Sequence, residues 1–419
     1  MLNRVHIQGF KSLRDVVLSF APLTVVFGPN ATGKSNLLEA LLLLSRLVSE
    51  RTLAEAFSGP VRGYPHEAFT FPPEGLEGLL TKDRVDLSME ATIRPSGVRS
   101  RASDALLYGV RVGLDPSKGT LSVLNEHLAR LKRDGSPKNL PRIEGAGDHL
   151  LVRRLSESGQ PRREPIGLNH TVASNLQYTG PDRYPDFDAV RSELVAWRSY
   201  YLDPQVAMRA PQPPRDVTDI GSRGEWLAPF LFRLKNHAEH RRSFLAIQRG
   251  LRAAIPSIEA MDVDLDPRRG TLDVLVRQHG VTFSSRLISE GTLRVLALCA
   301  IAANPWPGAL VAFEEPENGV HPNRIEVIAQ ILIGMVRQGG RQVVVTTHSP
   351  TLVSAIVQLQ RRVELADTVS LVRSTRDGPD TRLAPFDSSA LFADGLVQEG
   401  LRGAEDDGVA TAMLTRGWL

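Results

Sequence analysis

The chain of 419 residues has a single cysteine, Cys299, which excludes an intrachain disulfide framework and any zinc site built from several thiolates. Cys299 stands between Leu298 and Ala300, the setting of a small core residue rather than of a nucleophile. Long apolar runs are also lacking. The most apolar stretch, 37–48, carries Glu39 and Arg46 and is too short to cross a bilayer. Residues 1–6 read as the start of a strand rather than as an export signal. The expectation is a cytoplasmic protein with no membrane partner. Sustained heptads and internal repeats are missing, which argues against a long coiled coil. Excess charge of one sign is missing too: 50 basic against 47 acidic side chains leave a net +3, which says little about partners. Lysine is scarce, with seven (11, 34, 82, 118, 132, 138 and 235) against 43 arginines. That bias suits a GC-rich genome, although guanidinium forks also match phosphate oxygens. What is present is ordinary for globular chains, 42% hydrophobic and 23% charged residues, in a length that suits two to three domains.

The first 50 residues read as an α/β start. Residues 5–9 and 16–20 are short strands, and the continuous apolar run 23–27 is a strand buried on both faces. A Gly-rich turn follows, and then 35–48 reads as a helix. In the middle, 85–94, 106–114 and 149–155 pattern as strands, whereas 187–201 and 225–251 look helical. Residues 91–164 hold 14 basic and 8 acidic side chains, a local excess of +6. From about 257 the α/β pattern returns, with strands at 261–265, 271–276, 310–313, 342–346 and 363–373 and helices at 290–303 and 322–337.

Gly28-Pro29-Asn30-Ala31-Thr32-Gly33-Lys34-Ser35 fits the pattern G-x-x-x-x-G-K-[ST], between a buried strand and a helix. The chemistry requires these residue types. Gly28 and Gly33 let the backbone wrap a phosphate and aim N–H groups inward, and the helix N-terminus adds partial positive charge. Lys34 brings an ammonium to the β- and γ-phosphates, and the Ser35 hydroxyl ligates Mg2+. Asn30 and Asn36 complete the expected nucleotide-binding set, with ATP and Mg2+ as cofactors. Leu310-Val311-Ala312-Phe313-Glu314-Glu315 is an apolar strand ending in two carboxylates, a Walker B arrangement with Glu where Asp is commoner. Neighbouring residues of a strand point to opposite faces, so the two carboxylates can serve different roles. Glu314 is expected to hold Mg2+ and Glu315 to deprotonate the attacking water. Taken alone, an acidic loop after a core strand would explain the pair equally well.

The pair has company. Pro316-Glu317-Asn318-Gly319-Val320-His321-Pro322 follows it, Ile288-Ser289-Glu290-Gly291-Thr292 opens an upstream helix, and the strand 343–347 delivers His348-Ser349-Pro350. In this order the chain resembles the ABC-type ATPase heads of the SMC, RecF and OLD families, and most closely the prokaryotic AAA ATPases of that group. The resemblance implies an α/β P-loop NTPase of ABC-head type, a mixed sheet core plus an antiparallel β lobe, split by a largely helical insertion. Ser289 and Gly291 match the signature that contacts the γ-phosphate on an opposite subunit, so a homodimer through the nucleotide interface, or a higher oligomer, is implied. A plain helix N-cap also explains Ser289. His348 matches the switch histidine that positions water. Glu317 and Asn318 match the dimer-facing turn, and Lys11 and Ser12 an N-terminal segment running near the nucleotide. The catalytic set is therefore Glu315, His348 and Lys34.

Departures mark the limits of the match. The Q-loop ligand has no assignable position, and the signature reads Ser-Glu-Gly-Thr. The residues after His348 are too few for the TOPRIM nuclease domain of OLD proteins, and neither Asp377 with Asp380 nor Glu405-Asp406-Asp407 forms a convincing metal cluster. A transporter nucleotide-binding subunit is disfavoured, because residues 36–288 separate the phosphate loop from the signature. A nucleic-acid-binding module with a vestigial site is disfavoured by the intact Lys34, Ser35 and Glu315. The expected organisation is an N-terminal head part with β lobe (1–160), a helical insertion for dimerisation or docking (161–256), a C-terminal head part (257–385) and a tail (386–419). The expected function is an ATP-hydrolysing switch that controls a separate effector, such as a TOPRIM-like nuclease or toxin in anti-phage defence. The alternative is a RecF/SMC-like ATPase that binds DNA in repair.

Overall fold

The computed structural model describes residues 1–59, 62–95, 105–155, 160–306, 308–362 and 368–387. The chain forms two units. The first comprises Met1–Ala21, Pro29–Trp197 and Val372–Pro385, and the second Pro22–Gly28, Arg198–Leu371 and Phe386–Leu419.

The first unit is built on an eight-stranded antiparallel sheet. Its order is Leu13–Ser19, Leu2–Phe10, Val85–Ile93, Ala105–Asp115, Thr120–Leu131, Ile143–Ala146, His149–Val152 and Arg162–Pro165. Alternation sets its buried face: in Leu2–Phe10, Leu2, Val5, Ile7 and Phe10 are buried. Thr120–Leu131 was not foreseen. It carries a bulge at Leu124, where the register steps from Arg111↔Asn125 to Val112↔Val123, and this breaks the period of two. Glu126 then points inward and accepts from the N–H groups of Val172 (2.6 Å) and Ala173 (2.9 Å), fixing that loop to the strand. The helix Lys34–Ser49 belongs to this unit, and its Ser45 hydroxyl donates to the Leu194 carbonyl (2.6 Å), at the end of the helix Pro185–Val195.

The second unit is built on a parallel sheet ordered Arg198–Tyr200, Leu310–Glu314, Gln342–Thr347 and Leu23–Phe27, with the first residues of Val369–Asp377 beyond it. All five residues of Leu23–Phe27 and all six of Gln342–Thr347 are buried, as expected of strands covered on both faces. The helices Leu227–Asn236, Arg241–Ala254, Glu290–Ala302, Ile325–Gly339 and Pro350–Arg362 and the antiparallel strands Ile258–Asp266, Thr271–Gln278 and Val281–Ser284 complete it. Cys299 lies in this core, and burial pushes its thiol up to about 12, as befits an unreactive packing residue.

One expectation needs correction. The helix expected over 187–201 stops at Val195, and Arg198–Tyr200 is instead an edge strand parallel to Leu310–Glu314. Tyr200 is buried and stacks on Phe313 (centroids 5.5 Å apart), which draws this segment into the sheet. Trp197 is buried as well, whereas Tyr201 is 52% exposed. Within 161–256 the division between units falls between Trp197 and Arg198, with the helix Pro185–Val195 in the first unit and the helices of 227–254 in the second. Of the expected tail, residues 388–419, which include Glu405, Asp406 and Asp407, lie outside the described residues. Asp380 and Asp377 are ion-paired, with Arg14 and Arg382. Among the described residues no helix is long and apolar enough to cross a membrane.

Candidate nucleotide-binding and hydrolysis residues

Gly28 ends the strand side of the phosphate loop in the second unit, and the loop from Pro29 onward lies in the first. Ala31 (φ 62°) and Gly33 (φ 91°) take left-handed conformations and turn the chain into the helix Lys34–Ser49. Gly33 is the N-cap of that helix and brings no capping side chain, and no acidic residue occupies the first turn. The N–H groups of such a first turn carry the partial positive charge that accepts a phosphate. Lys34 is buried and donates to the Pro29 carbonyl (2.7 Å), so its ammonium curls over its own loop. Asn30 is exposed, and Ser35 and Asn36 are half-buried. These features fit a nucleoside triphosphate: backbone donors, one ammonium and a hydroxyl converge on one loop.

A polar clasp holds the loop from outside. Ser374 Oγ (3.1 Å) and Thr381 Oγ1 (2.9 Å) both donate to the Thr32 carbonyl. Ser12 Oγ bonds Thr381 Oγ1 (2.7 Å) and accepts from Asn36 Nδ2 (2.8 Å). A Cβ on Gly33 would lie 2.0 Å from Thr381 Oγ1, so the glycine is required by close approach as well as by φ. Asn36, expected among the nucleotide ligands, has its amide on Ser12. Thr381 and Ser374 carried no sequence signal, since they come from the far end of the chain.

In the second unit, Glu314 and Glu315 close the strand Leu310–Glu314, and His348 follows its parallel neighbour Gln342–Thr347. His348 Nδ1 lies 2.7 Å from Glu315 Oε1. Glu315 has a left-handed backbone (φ 47°), uncommon for a residue with a side chain. Its N–H is held by the Thr346 carbonyl (2.9 Å) and its own carbonyl accepts from Asn318 N–H (3.1 Å). Backbone strain of this kind collects at functional sites. Of the pair expected on a dimer-facing turn, Asn318 is exposed, whereas the Glu317 side chain is buried and takes the Thr347 hydroxyl. Burial pushes the Glu317 carboxyl above the usual carboxylate range.

Ser289 is the N-cap of Glu290–Ala302, its Oγ accepting from Thr292 N–H (3.3 Å), so the N-cap role expected as the plain alternative is present. Gly291 sits against the turn after Walker B: a Cβ there would lie 2.8 Å from the Gly319 carbonyl. Arg294, on the same helix, reaches toward the Glu315 carbonyl (Nη1 at 3.5 Å), and its Nε and Glu317 Oε2 are both buried without a hydrogen-bond partner. Sequence reasoning passed over Arg294. It also passed over Gln205, which follows the strand Arg198–Tyr200 beside Walker B and donates to Glu290 Oε1 (2.6 Å). Reading Arg198–Tyr200 as helix hid it.

Residues 23–354 match the family model described as "AAA domain, putative AbiEii toxin, Type IV TA system". Over 99 residues the chain is 33% identical to the DNA replication and repair protein RecF of Thermosynechococcus vestitus, which covers 23% of this chain and 24% of that relative. The chain spans a quarter or less of the length of the curated relatives it matches. Among solved structures it is similar to an SmcHead bound to the C-winged helix domain of ScpA, with a TM-score of 0.53 and 13% identity over 93% of this chain and 99% of that one. It is also similar to an Smc head domain with an extended coiled coil bound to the C-terminal domain of ScpA derived from Pyrococcus furiosus, with a TM-score of 0.51 and 11% identity over 96% of this chain and 99% of that one. At such identities the likeness shows the fold alone, that of an SMC head. The chain belongs to the family described as "AAA domain, putative AbiEii toxin, Type IV TA system".

Proposed function

We propose that the protein binds and hydrolyses ATP and that two copies close on two nucleotides. The observation that carries this reading is the pairing of Glu315 with His348 at 2.7 Å on neighbouring parallel strand ends, with Glu315 held in a strained backbone. A carboxylate hydrogen-bonded to an imidazole suits the deprotonation and orientation of a water. Lys34 and the helix N-terminus bind the β- and γ-phosphates. Ser35 and Glu314 would hold Mg2+, which neutralises phosphate charge when bound. Gln205 takes the Q-loop position that the sequence left unassigned, because it follows the strand next to Walker B. Ser289 and the N-terminus of its helix are the anion-binding element offered to a second copy.

The switch controls a separate effector, such as a nuclease or toxin in anti-phage defence, and the family description, which names a toxin of a toxin–antitoxin system, favours this reading. The RecF relationship favours a second one, an ATPase that acts on DNA in repair. The basic excess in 91–164 is its candidate surface, and affinity for duplex DNA that stays flat from low to physiological salt would count against it. The first test is phosphate release from ATP. The wild type is expected to release phosphate, and Lys34→Ala and Glu315→Gln to abolish release. Release that is unchanged in both variants would refute the assignment.

A further inference from the structure

Residues 62–70 arch over Lys11. Lys11 Nζ donates to the Arg62 carbonyl (3.2 Å) and the Lys11 N–H to the Ala68 carbonyl (3.0 Å). Thr70 Oγ1 donates back to the Lys11 carbonyl (2.7 Å), and Thr70 N–H to the Gly9 carbonyl (2.8 Å). The arch is tied equally to the helix that starts at Lys34. The Glu39 carboxylate takes the Lys11 ammonium, the Arg62 guanidinium (3.3 Å) and the Arg62 N–H (3.4 Å). Glu39 lies one helical turn, about 6 Å of rise, beyond Ser35. Ser12, the neighbour of Lys11, accepts from Asn36, the residue after Ser35.

The crown of this arch is aromatic. Tyr64 stacks on His66 with ring centroids 5.7 Å and planes 14° apart, across Pro65. Tyr64 is 70% exposed, the most exposed aromatic ring among the described residues. Its ring therefore adds little to the core, yet its backbone is fixed: Tyr64 N–H donates to Glu67 Oε2 (2.6 Å). A fixed, exposed aromatic pair on an arch tied to the helix that follows the phosphate loop has the form of a stacking platform.

We propose that the Tyr64–His66 pair receives the base of a purine nucleoside triphosphate whose phosphates lie in loop 28–35, a proposal that rests on the nucleotide reading above. Stacking tolerates different bases and grows with ring overlap, so ATP and GTP bind better than CTP and UTP. Lys11 and Glu39 hold the platform in place and are positioning residues.

The experiment compares ATP with inorganic tripolyphosphate, each with Mg2+, by calorimetry on the full chain. Tyr64→Ala is expected to weaken ATP binding by about tenfold and to leave tripolyphosphate unchanged, and Tyr64→Trp to restore ATP. An unchanged ratio of the two affinities in Tyr64→Ala overturns the platform. If Lys34→Ala loses both ligands while Tyr64→Ala changes neither, the phosphate loop stands and the platform falls. A wild-type chain that binds neither ligand overturns the nucleotide reading and the platform with it.

Discussion

The phosphate loop and the Glu315–His348 pair solve their problems by opposite means. The loop works through its backbone. Its helix N-terminus, two left-handed residues and one lysine occupy eight consecutive positions, and the clasp of Ser12, Ser374 and Thr381 only steadies them. The strand-end pair works through side chains brought together from 315 and 348, with Arg294 and Thr347 behind them. Backbone groups cannot be removed by substitution, so the loop is broken through its geometry or its lysine. The pair can be dismantled one group at a time, and binding is expected to survive its loss.

The largest effect expected of this contrast is at Lys34. Lys34→Ala removes a charge-assisted contact worth about 3 kcal/mol, so nucleotide affinity should fall roughly a hundredfold in a calorimetric titration. Gly33→Ala should do comparable damage without touching a charge, because its Cβ would meet Thr381 Oγ1 at 2.0 Å; normal affinity in that variant would show that the clasp yields. Next comes Glu315→Gln, where the maximal rate should drop by about 10²- to 10⁴-fold with ATP affinity kept, the range of a lost general base. A rate and an affinity that fell together would erase the contrast.

Arg294→Met sharpens it further. The change removes the buried guanidinium whose charge the Glu317 carboxylate stabilises. Turnover should fall by about tenfold with KM unchanged, and Arg294→Lys should recover part of it. The smallest effect concerns Cys299. Its thiol, pushed up to about 12 by burial, has almost no thiolate at pH 8, so a thiol reagent should leave the folded chain unmodified and label it only on unfolding. Rapid labelling of the native chain would mean that the helix Glu290–Ala302 is looser than its buried residues indicate.

This contrast also explains what the sequence made legible. The loop is local, so its eight residues announced strand, turn, helix and ligand together. The strand ends were legible through type and order alone, because Glu314, Glu315 and His348 follow runs of buried apolar residues that only a parallel sheet accommodates. What stayed hidden depends on distant pairing. Arg198–Tyr200 has three residues, too few for a period, and is a strand because Tyr200 lies on Phe313. With it Gln205 was missed. Thr120–Leu131 was hidden by one bulge and by Glu126, a buried acid that answers to a loop 46 residues away. Motif order placed Glu317 on a turn, and it could not show that the side chain is buried against the Thr347 hydroxyl.

The central claim, that the chain binds ATP and pairs with itself around it, is tested most directly by light scattering on Glu315→Gln with and without ATP and Mg2+. The account predicts a monomer without nucleotide and a dimer that retains one uncleaved ATP per chain with it. A variant that stays monomeric at saturating ATP, or that carries no nucleotide, would contradict the account.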